Sequence, residues 1–322
     1  MPASPASLSE LSTPVVLVLY NRPDHLRQVF GAVRAAQPRQ LFLVADGPKD
    51  DADNARCARA RSAVERIDWP CTVQRLYAEE NLGAGRRVAS GLDWVFSQTD
   101  RAIILEDDCL PSASFFRFCH ELLGIYERDT RIMEIGGCNC QRGHRRSAFS
   151  YYFSYYPSSW GWATWRRAWQ YFDYGLRDWP ELRDAGFLES VSEDAVEREY
   201  WRERFDDLHS RRLTTVWDYQ WLFALWAQHG LSVTPEVNLV TNIGFGPGAT
   251  HTRSAHSPEA NIPLGEIPVI THPREVFRNR EADRFLFDIV AGGKRGRGLP
   301  GLLRRGYARA LSAARRRRGA PA

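Results

Sequence analysis

The feature that most constrains the fold is a strand pattern that recurs four times in the first part of the chain, alternating with helix patterns. Apolar runs at 14–20, 41–45, 72–78 and 102–105 each predict a buried strand, and amphipathic helical patterns follow the first and third. Such strand and helix units predict a parallel, doubly wound sheet with right-handed crossovers. We therefore predict an α/β fold: a single compact domain with a mixed, mainly parallel sheet and helices on both faces.

Polar residues follow the predicted strands, at the strand ends beyond which ligands of such sheets bind. In chain order these are Asn21 and Arg22, Asp46, Asn81 to Gly83, and the triplet Glu106, Asp107 and Asp108. A turn or capping role is the alternative for each, and for Asn81 both interpretations stand. A turn explains the triplet poorly, because three adjacent carboxylates repel one another unless a cation or a proton relieves them.

The second half of the chain is rich in aromatic residues. Most of the eleven tryptophans fall between Trp160 and Trp221. Such a group forms either core or a sugar-stacking surface, and core is the default interpretation. The run from Trp160 to Trp165 is predicted to open a helix.

Two further segments of this half carry candidate functional residues. Residues 216–229 predict a largely apolar helix with one acid, Asp218. A glycine-rich loop at 242–251 ends at His251 and is typical of segments that close over a ligand, with a simple long turn as the alternative.

Several classes of protein are excluded by what the sequence lacks. It has no G-x-x-x-x-G-K-[ST] loop and no G-x-G-x-x-G after the first strand, which excludes P-loop NTPases and dinucleotide dehydrogenases. The six cysteines include no C-x-x-C pair, so neither a disulfide framework nor a structural zinc site is expected. Cys138 and Cys140 form a C-x-C, interpreted as buried small residues rather than a soft-metal site.

The net charge of +4 combines two unlike parts. From Lys294 to the end there are ten basic residues and no acid, which leaves 33 basic and 39 acidic residues before that point. Because the body is acidic, we expect no nucleic-acid partner. The tail has the pattern of a basic amphipathic helix suited to an anionic membrane surface, with a disordered solubilising tail as the alternative.

Five motifs in order resemble glycosyltransferases of the GT-A fold. The resemblance is to the metal-dependent, inverting N-acetylglucosaminyltransferase that begins hybrid N-glycan branches, and to bacterial family 2-like glycosyltransferases. It extends from about residue 14 to 251. The motifs are Asn21-Arg22, Glu106-Asp107-Asp108, Trp160-Gly161-Trp162, Trp217-Asp218 and Pro235-Glu236.

The resemblance implies roles for individual residues. Arg22 would meet the nucleotide diphosphate, Asp46 would accept a hydrogen bond from the base, and Asp108 would ligate Mn²⁺ or Mg²⁺. Asp218 would be the catalytic base, although the family's second acid is replaced here by Tyr219; the alternative is that Asp218 only caps a helix. The remaining candidate substrate-binding residues are Asn21, Asn81, Glu106, Asp107, Trp160, Trp162 and His251, and for His251 a solvated loop residue is the alternative.

Together these observations predict an inverting, metal-dependent glycosyltransferase that moves a sugar from a nucleotide-sugar donor to a hydroxyl of a glycan or lipid-linked acceptor. A sugar-nucleotide nucleotidyltransferase and a non-catalytic sugar-binding module are the alternatives. Because Met1 to Ser12 lack signal-peptide features and no run approaches the roughly 18 apolar residues of a spanning helix, we expect a cytoplasmic protein, peripheral to the inner face of the membrane if the tail binds there.

Four segments are predicted along the chain. They are a disordered N-terminus at 1–13, a nucleotide-sugar-binding half at 14–135, an acceptor-binding and catalytic half at 136–270, and a C-terminal helix with a basic tail at 271–322.

Overall fold

The computed structural model describes residues 11–246 and 259–290. Its strands are β1 (Val15–Leu19), β2 (Gln40–Ala45), β3 (Thr72–Tyr77), β4 (Arg101–Glu106), β5 (Cys109–Pro111), β6 (Ile132–Gly136), β7 (Tyr151–Ser154), β8 (Trp162–Trp165), β9 (Leu231–Pro235) and β10 (Val240–Asn242). Its helices are α1 (Pro23–Ala36), α2 (Asp51–Ala63), α3 (Ala84–Phe96), α4 (Ala113–Ile125), α5 (Arg166–Trp169), α6 (Trp179–Asp184), α7 (Phe187–Val191), α8 (Ala195–His209), α9 (Asp218–Ala227) and α10 (Arg280–Val290).

Eight of these strands form one sheet in the order β3-β2-β1-β4-β8-β6-β9-β7. Strands β1 to β4 are parallel, with β1 between β2 and β4. Strand β8 is antiparallel to β4 and β6, β9 is parallel to β6, and β7 is antiparallel to β9. Only β7 and β8 therefore run against the other six strands. The predicted α/β class, with a mixed and mainly parallel sheet, is confirmed.

The sheet is buried on both faces, as strands covered by crossover helices must be. In β1, Val15, Leu17 and Leu19 pack on one face with residues of α1, α2 and α4. Val16 and Val18 pack on the other face with residues of α3, α5 and α9. Helices on both faces are thus also confirmed.

The helices of the second half build a core of their own beside the sheet. Its largest buried side chains include Trp179, Phe205 and Trp226, and it joins residues of α6 to α10. Most tryptophans of the second half are buried in this core or against the sheet, which agrees with the default interpretation of the aromatic cluster.

The prediction of a helix that opens at Trp160 is wrong for most of this segment. Trp162–Trp165 form strand β8 instead, and only the four residues of α5 are helical. Strand β8 lies between β4 and β6, where all four of its side chains are buried. Because Trp and Thr fit a pleated, covered surface well, sheet packing decides the conformation here.

The N-terminal segment predicted to be disordered, residues 1–13, includes residues that are packed in the structure. Leu11 is buried in the core, and its carbonyl oxygen accepts a hydrogen bond from the backbone N–H of Arg39 at 3.0 Å. Thr13 is also buried and hydrogen-bonded, through its hydroxyl to Nδ1 of His120 at 2.6 Å. Order therefore begins by residue 11 at the latest.

Within the described ranges, no helix has the length and apolarity needed to span a membrane. His251 and the basic tail at 294–322, for which membrane binding is predicted, lie outside the described residues.

Two helical glycines offer a matched test of this packing. A Cβ at Gly91 in α3 would lie 2.5 Å from Cγ1 of Val44 in β2, whereas a Cβ at the exposed Gly31 in α1 meets nothing within 4 Å. We expect Gly91→Ala to lower the free energy of unfolding by about 1–3 kcal/mol, because Val44 is buried and cannot move aside. Gly31→Ala should raise it by about 0.5–1 kcal/mol through helix propensity. Urea unfolding measures both, and a gain from both substitutions would contradict the close packing of α3 on β2.

Candidate functional site

The carboxyl ends of β1, β2 and β4 lie side by side because these three strands are adjacent and parallel. Leu19 pairs with Ala45, and Val18 pairs with Glu106. The residues that follow each strand therefore emerge at one edge of the sheet. This edge brings together the predicted residues Asn21, Arg22, Asp46, Asn81, Glu106, Asp107 and Asp108.

The acidic triplet forms a cluster of interacting carboxylates with Asp218, which begins α9. Burial raises the pKa of Glu106 to about 8, and the charges of Asp108, Asp107 and Asp218 add to the rise while Arg22 opposes it. Burial and then the charge of Asp108 raise the pKa of Asp107 to about 7, again against Arg22. The charges of Asp107, Asp108 and Asp218 thus all act on Glu106, and the charge of Asp108 acts on Asp107 as well.

Arg22 is the cation that partly neutralises this cluster. Its Nη1 forms an ion pair with Oδ2 of Asp108, and the two side chains are only 20% and 12% exposed. The amide of Asn242 lies 3.5 Å from Oδ1 of Asp108. A Cβ at Gly244 would collide with Asp108 and lie 2.7 Å from Nη1 of Arg22. Only glycine lets the backbone after β10 cover this ion pair.

Asp53 in α2 is a site residue that the sequence reasoning missed. Its carboxylate accepts hydrogen bonds from the hydroxyl of Tyr20, from Nδ2 of Asn21 at 2.6 Å, from the backbone N–H of Lys49 at 3.2 Å and from Nη2 of Arg56 at 3.0 Å. Burial acts to raise the pKa of Asp53, but these hydrogen bonds outweigh it and lower the pKa to about 2. Asp53 therefore stays ionised and fixes the turn after β1.

A cleft of about 480 Å³ opens next to this network. It joins the turn after β1, the segment between β2 and α2, and the loop after β10. Its lining residues are Tyr20, Asn21, Arg22, His25, Lys49, Asp50, Asp53, Arg56, Gly244, Phe245 and Gly246. The lining carries the basic side chains of Arg22, Lys49 and Arg56 beside the acids Asp50 and Asp53. Guanidinium and ammonium groups suit a phosphate-containing ligand.

Asp46 lies just past β2 and is buried, and its carboxylate is fully occupied within the protein. Oδ1 accepts hydrogen bonds from the backbone N–H groups of Gly47 at 3.0 Å and Leu82 at 2.9 Å. Oδ2 accepts hydrogen bonds from Nδ2 of Asn81 and the backbone N–H of Gly83, both at 3.0 Å. Since a carboxylate offers about four acceptor positions, Asp46 and Asn81 act here as organisers of the turn before α3. The predicted hydrogen bond from a base to Asp46 would have to replace one of these four.

Arg87 in α3 is a buried cation behind this turn, and the sequence reasoning did not single it out. It is 4% exposed, and its Nε has no hydrogen-bond partner among the described residues. Burial lowers the pKa of Arg87, and the charge of Asp46 opposes this effect. Arg87 therefore supplies a positive charge close to a carboxylate that is already saturated with hydrogen bonds.

The two predicted tryptophans have different positions. Trp162 is 1% exposed and stacks on Trp217 at a centroid distance of 5.3 Å, so its predicted contact with substrate is wrong and it belongs to the core. Trp160 is half-buried, and its ring meets that of Phe245 edge to face at 5.5 Å. Because Phe245 lines the cleft, Trp160 keeps a position at its rim.

Asp218 is the first residue of α9 and is half-buried, whereas Trp217 occupies the N-cap position. The alternative interpretation of Asp218 as the helix cap is therefore wrong. One turn further along α9, Nε1 of Trp221 donates a hydrogen bond of 2.6 Å to the buried Glu134 of β6. Glu134 also accepts hydrogen bonds from the backbone N–H of Ser158 at 2.7 Å and the hydroxyl of Ser232 at 2.8 Å. Glu134 thus ties the start of α9 to the sheet.

No three His, Cys, Asp or Glu side chains within 11–246 and 259–290 converge in the arrangement of a metal cage. Magnesium sites that handle phosphates commonly use only one or two protein carboxylates, with the substrate phosphates and waters completing the shell. Asp108 and Glu106 are such a pair. Burial and then the charge of Asp108 raise the pKa of Glu106, and a divalent cation would relieve the repulsion between the two acids. The donor set therefore fits Mg²⁺ or Mn²⁺.

Comparison with known proteins gives a likeness among solved structures. No protein-family model matches the chain, and no curated protein matches it. Among solved structures, the chain is similar to galactosyltransferase LgtC in complex with donor and acceptor sugar analogues. The identity is 13%, the TM-score is 0.37, and the match covers 85% of this chain and 94% of that chain. Identity and TM-score are both too low for this likeness to assign an activity.

The buried Glu134 leads to a prediction about stability and pH. Burial raises its pKa from 4.5 to about 7, although its three hydrogen bonds act to lower it. Because the folded pKa is above the unfolded one, the stabilisation is complete below about pH 4.5 and is lost as pH rises through about 7. A glutamine does not titrate. We therefore expect the free energy of unfolding to fall less between pH 5 and 8 in Glu134→Gln than in the wild type, by up to about 3 kcal/mol. Urea unfolding at both pH values measures this difference.

Glu127→Gln is the control, because Glu127 is exposed and lies 3.8 Å from Arg101. It should leave the pH dependence of the wild type unchanged. Glu134→Gln should also be less stable than the wild type at pH 5. Three donors point at this carboxyl group, and an amide nitrogen cannot accept a hydrogen bond, so at least one of the three bonds is lost. Equal pH dependence in Glu134→Gln and the wild type would show that Glu134 is not the titrating group.

Proposed function

We propose that the chain is a glycosyltransferase that moves a sugar from a nucleotide-sugar donor to a hydroxyl group of an acceptor. The observation that carries this proposal is the arrangement at the sheet edge. Arg22 lines a cleft with basic side chains and pairs with Asp108, and the charge of Asp218 at the start of α9 acts on the neighbouring Glu106. A diphosphate leaving group needs positive charge on one side, and an attacking hydroxyl needs a base on the other.

The cleft after β1 is the proposed donor site. Its volume of about 480 Å³ is within the range of small-molecule pockets. Arg22 and Lys49 line it, and guanidinium and ammonium groups recognise phosphate oxygens through charge-assisted hydrogen bonds. Asp53 holds Asn21 and Tyr20 in place, so the turn that carries Arg22 is preorganised.

Asp108, with Glu106 beside it, is proposed to hold the divalent cation. When bound, such a cation supplies Lewis-acid stabilisation of the charge that develops on the departing diphosphate. Arg22 adds positive charge at the same place. Its ion pair with Asp108 keeps that acid oriented, and the glycine backbone at 244 leaves no side chain between the two.

Asp218 is proposed as the general base of an inverting displacement. The acceptor oxygen attacks the anomeric carbon, the bond from that carbon to the diphosphate oxygen breaks, and the hydroxyl proton passes to Asp218. Such proton transfer contributes roughly 10²- to 10⁴-fold to the rate. The neighbouring Tyr219 cannot serve, since a phenol does not take up a proton at neutral pH.

The acceptor is proposed to be a glycan or a lipid-linked sugar, bound on the side of the cleft that faces Trp160. Trp160 and Phe245 present two aromatic rings at the rim of the cleft. An amphipathic sugar ring packs its apolar face on such rings while its hydroxyls stay hydrated. The sugar transferred is proposed to be a hexose or an N-acetylhexosamine.

The metal assignment is tested by Asp108→Ala. We expect it to abolish the manganese-dependent part of nucleoside diphosphate binding, because the cation loses its ligand at the end of β4. Isothermal titration calorimetry with a panel of nucleoside diphosphates and their sugars, with and without Mn²⁺, measures this. Asp100→Ala is the control, since Asp100 is an exposed acid at the other end of β4, paired with Arg166 at 3.0 Å. Manganese-dependent binding that survives in Asp108→Ala would refute the assignment.

The assignment of the base is tested by Asp218→Asn. The amide keeps the size of the side chain but cannot accept a proton, so donor binding should remain while sugar transfer falls roughly 10²- to 10⁴-fold. Asp184→Asn, an exposed acid of α6, should leave both unchanged. Full turnover by Asp218→Asn would show that another residue is the base.

The alternative reaction is tested on the wild type. Release of pyrophosphate from a nucleoside triphosphate would indicate a nucleotidyltransferase instead of a glycosyltransferase.

A further inference from the structure

The loop after β6 brings two cysteine sulfur atoms into contact. Sγ of Cys138 lies 3.3 Å from Sγ of Cys140. Cys138 is buried, whereas Cys140 is half-buried. All six cysteines fall within the described residues, and each has a free thiol.

The residue between the two cysteines holds the loop in this shape. The backbone N–H of Asn139 donates to Oδ1 of Asn238 at 2.9 Å, and its Nδ2 donates to the carbonyl oxygen of Pro235 at 2.6 Å. Its Oδ1 accepts a hydrogen bond from the backbone N–H of Gln141 at 2.8 Å. With Asn139 anchored on both sides, the convergence of the two thiols costs little further entropy when they react.

We propose that Cys138 and Cys140 are an oxidisable dithiol that closes to an intrachain disulfide when the protein meets a peroxide. A disulfide has a sulfur separation of about 2.05 Å, so the sulfurs must approach by only about 1.3 Å. Their contact shows that the two Cβ vectors already converge, which is the geometric requirement for a bridge. The proposal goes beyond sugar transfer and does not depend on it.

The exposure of the two thiols sets the order of the reaction. Cys140 is the more exposed of the two residues, so it attacks the peroxide: its sulfur bonds to one peroxide oxygen, the O–O bond breaks, and a sulfenic acid and water form. The sulfur of Cys138 then bonds to that of Cys140, the S–O bond breaks, and the Cys138 proton leaves with the hydroxide as a second water. Two thiols lose two electrons, and one hydrogen peroxide is reduced to two waters.

The protonation of Cys138 fits its role as the second thiol. Its hydrogen bond with Cys140, together with burial, raises the pKa of Cys138 well above the usual value. It therefore keeps its proton until the sulfenic acid has formed beside it. The residue before the pair contacts the start of β10, because the carbonyl oxygen of Gly137 accepts hydrogen bonds from the backbone N–H groups of Leu239 and Val240.

The experiment uses the full chain, reduced and then exposed to hydrogen peroxide, quenched with acid, unfolded and alkylated with iodoacetamide. Trypsin releases residues 132–142 as one peptide that contains both cysteines. We expect this peptide to lose both alkylatable thiols and two hydrogens in mass, so that two of the six cysteines escape alkylation. Retention of both thiols at a peroxide dose that oxidises Cys71 would overturn the proposal.

Three variants sharpen the result. In Cys138→Ser, the sulfenic acid at Cys140 has no partner, so a dimedone adduct should accumulate that the wild type lacks. In Cys140→Ser, Cys138 should stay alkylatable. Cys71→Ser is the matched control, because Cys71 is also half-buried but its Sγ donates a hydrogen bond to the carbonyl oxygen of Thr72 and not to another sulfur. It should behave as the wild type. Equal amounts of dimedone adduct at Cys140 in the wild type and in Cys138→Ser would also overturn the proposal. If Cys138→Ser does not fold, Cys140→Ser gives the test, and loss of the Cys138 thiol in that variant would overturn the proposal.

Discussion

The site depends on how the fold accommodates three consecutive acids at the end of a buried strand. Burying carboxylates is costly unless each finds a partner. Asp107 accepts a hydrogen bond of 2.9 Å from the backbone N–H of Tyr20, and Asp108 pairs with Arg22. Burial and then the charges of Asp108, Asp107 and Asp218 raise the pKa of Glu106 to about 8, so this group takes up a proton at neutral pH. A divalent cation at this edge would stabilise the ionised carboxylate in place of that proton, which is why the cluster suits a cation.

Both partners of these acids come from one short segment, and the strand order explains why. Strand β1 lies directly beside β4, and Val18 pairs with Glu106. Residues 20–22 therefore leave the sheet beside residues 107 and 108. A shift of one residue in this pairing would move the N–H of Tyr20 and the guanidinium of Arg22 away from both carboxylates. The chemistry at the edge is thus a direct consequence of the register of β1 on β4.

This explains which parts of the site the sequence could reveal. The polar groups at 21–22, 46 and 106–108 follow apolar runs, and any parallel sheet brings such strand ends to one edge. Asp53 was not predicted because it lies in the first turn of a helix, where acids are common for reasons of capping and dipole. Indeed Asp50, three residues earlier, caps α2 by accepting a hydrogen bond from the N–H of Asp53 at 2.8 Å. Only the tertiary structure shows that the side chain of Asp53 reaches back to Tyr20 and Asn21.

Aromatic residues gave the least reliable predictions, and the cause is again tertiary. The spacing of tryptophans at 160, 162, 165 and 169 is compatible with either a helix or a strand that runs into one. The choice is made by the position between β4 and β6, which this segment occupies as an antiparallel strand. Because β8 lies inside the sheet, Trp162 is buried and belongs to the core, although it is part of a motif that resembles the family's. Trp160, two residues earlier, lies at the rim of the cleft.

The position of Asp218 follows from a second buried acid on the opposite half of the sheet. Glu134 of β6 holds α9 through Trp221, holds the segment before β8 through the N–H of Ser158, and holds β9 through Ser232. These three contacts fix both Asp218 and the approach to Trp160 relative to the sheet that carries the acidic triplet. Reacting groups need placement to within about 0.5 Å, and groups on helices and strands meet that demand better than groups on loops. The catalytic geometry proposed for Asp218 therefore rests on a carboxylate that lies in the core and touches no substrate.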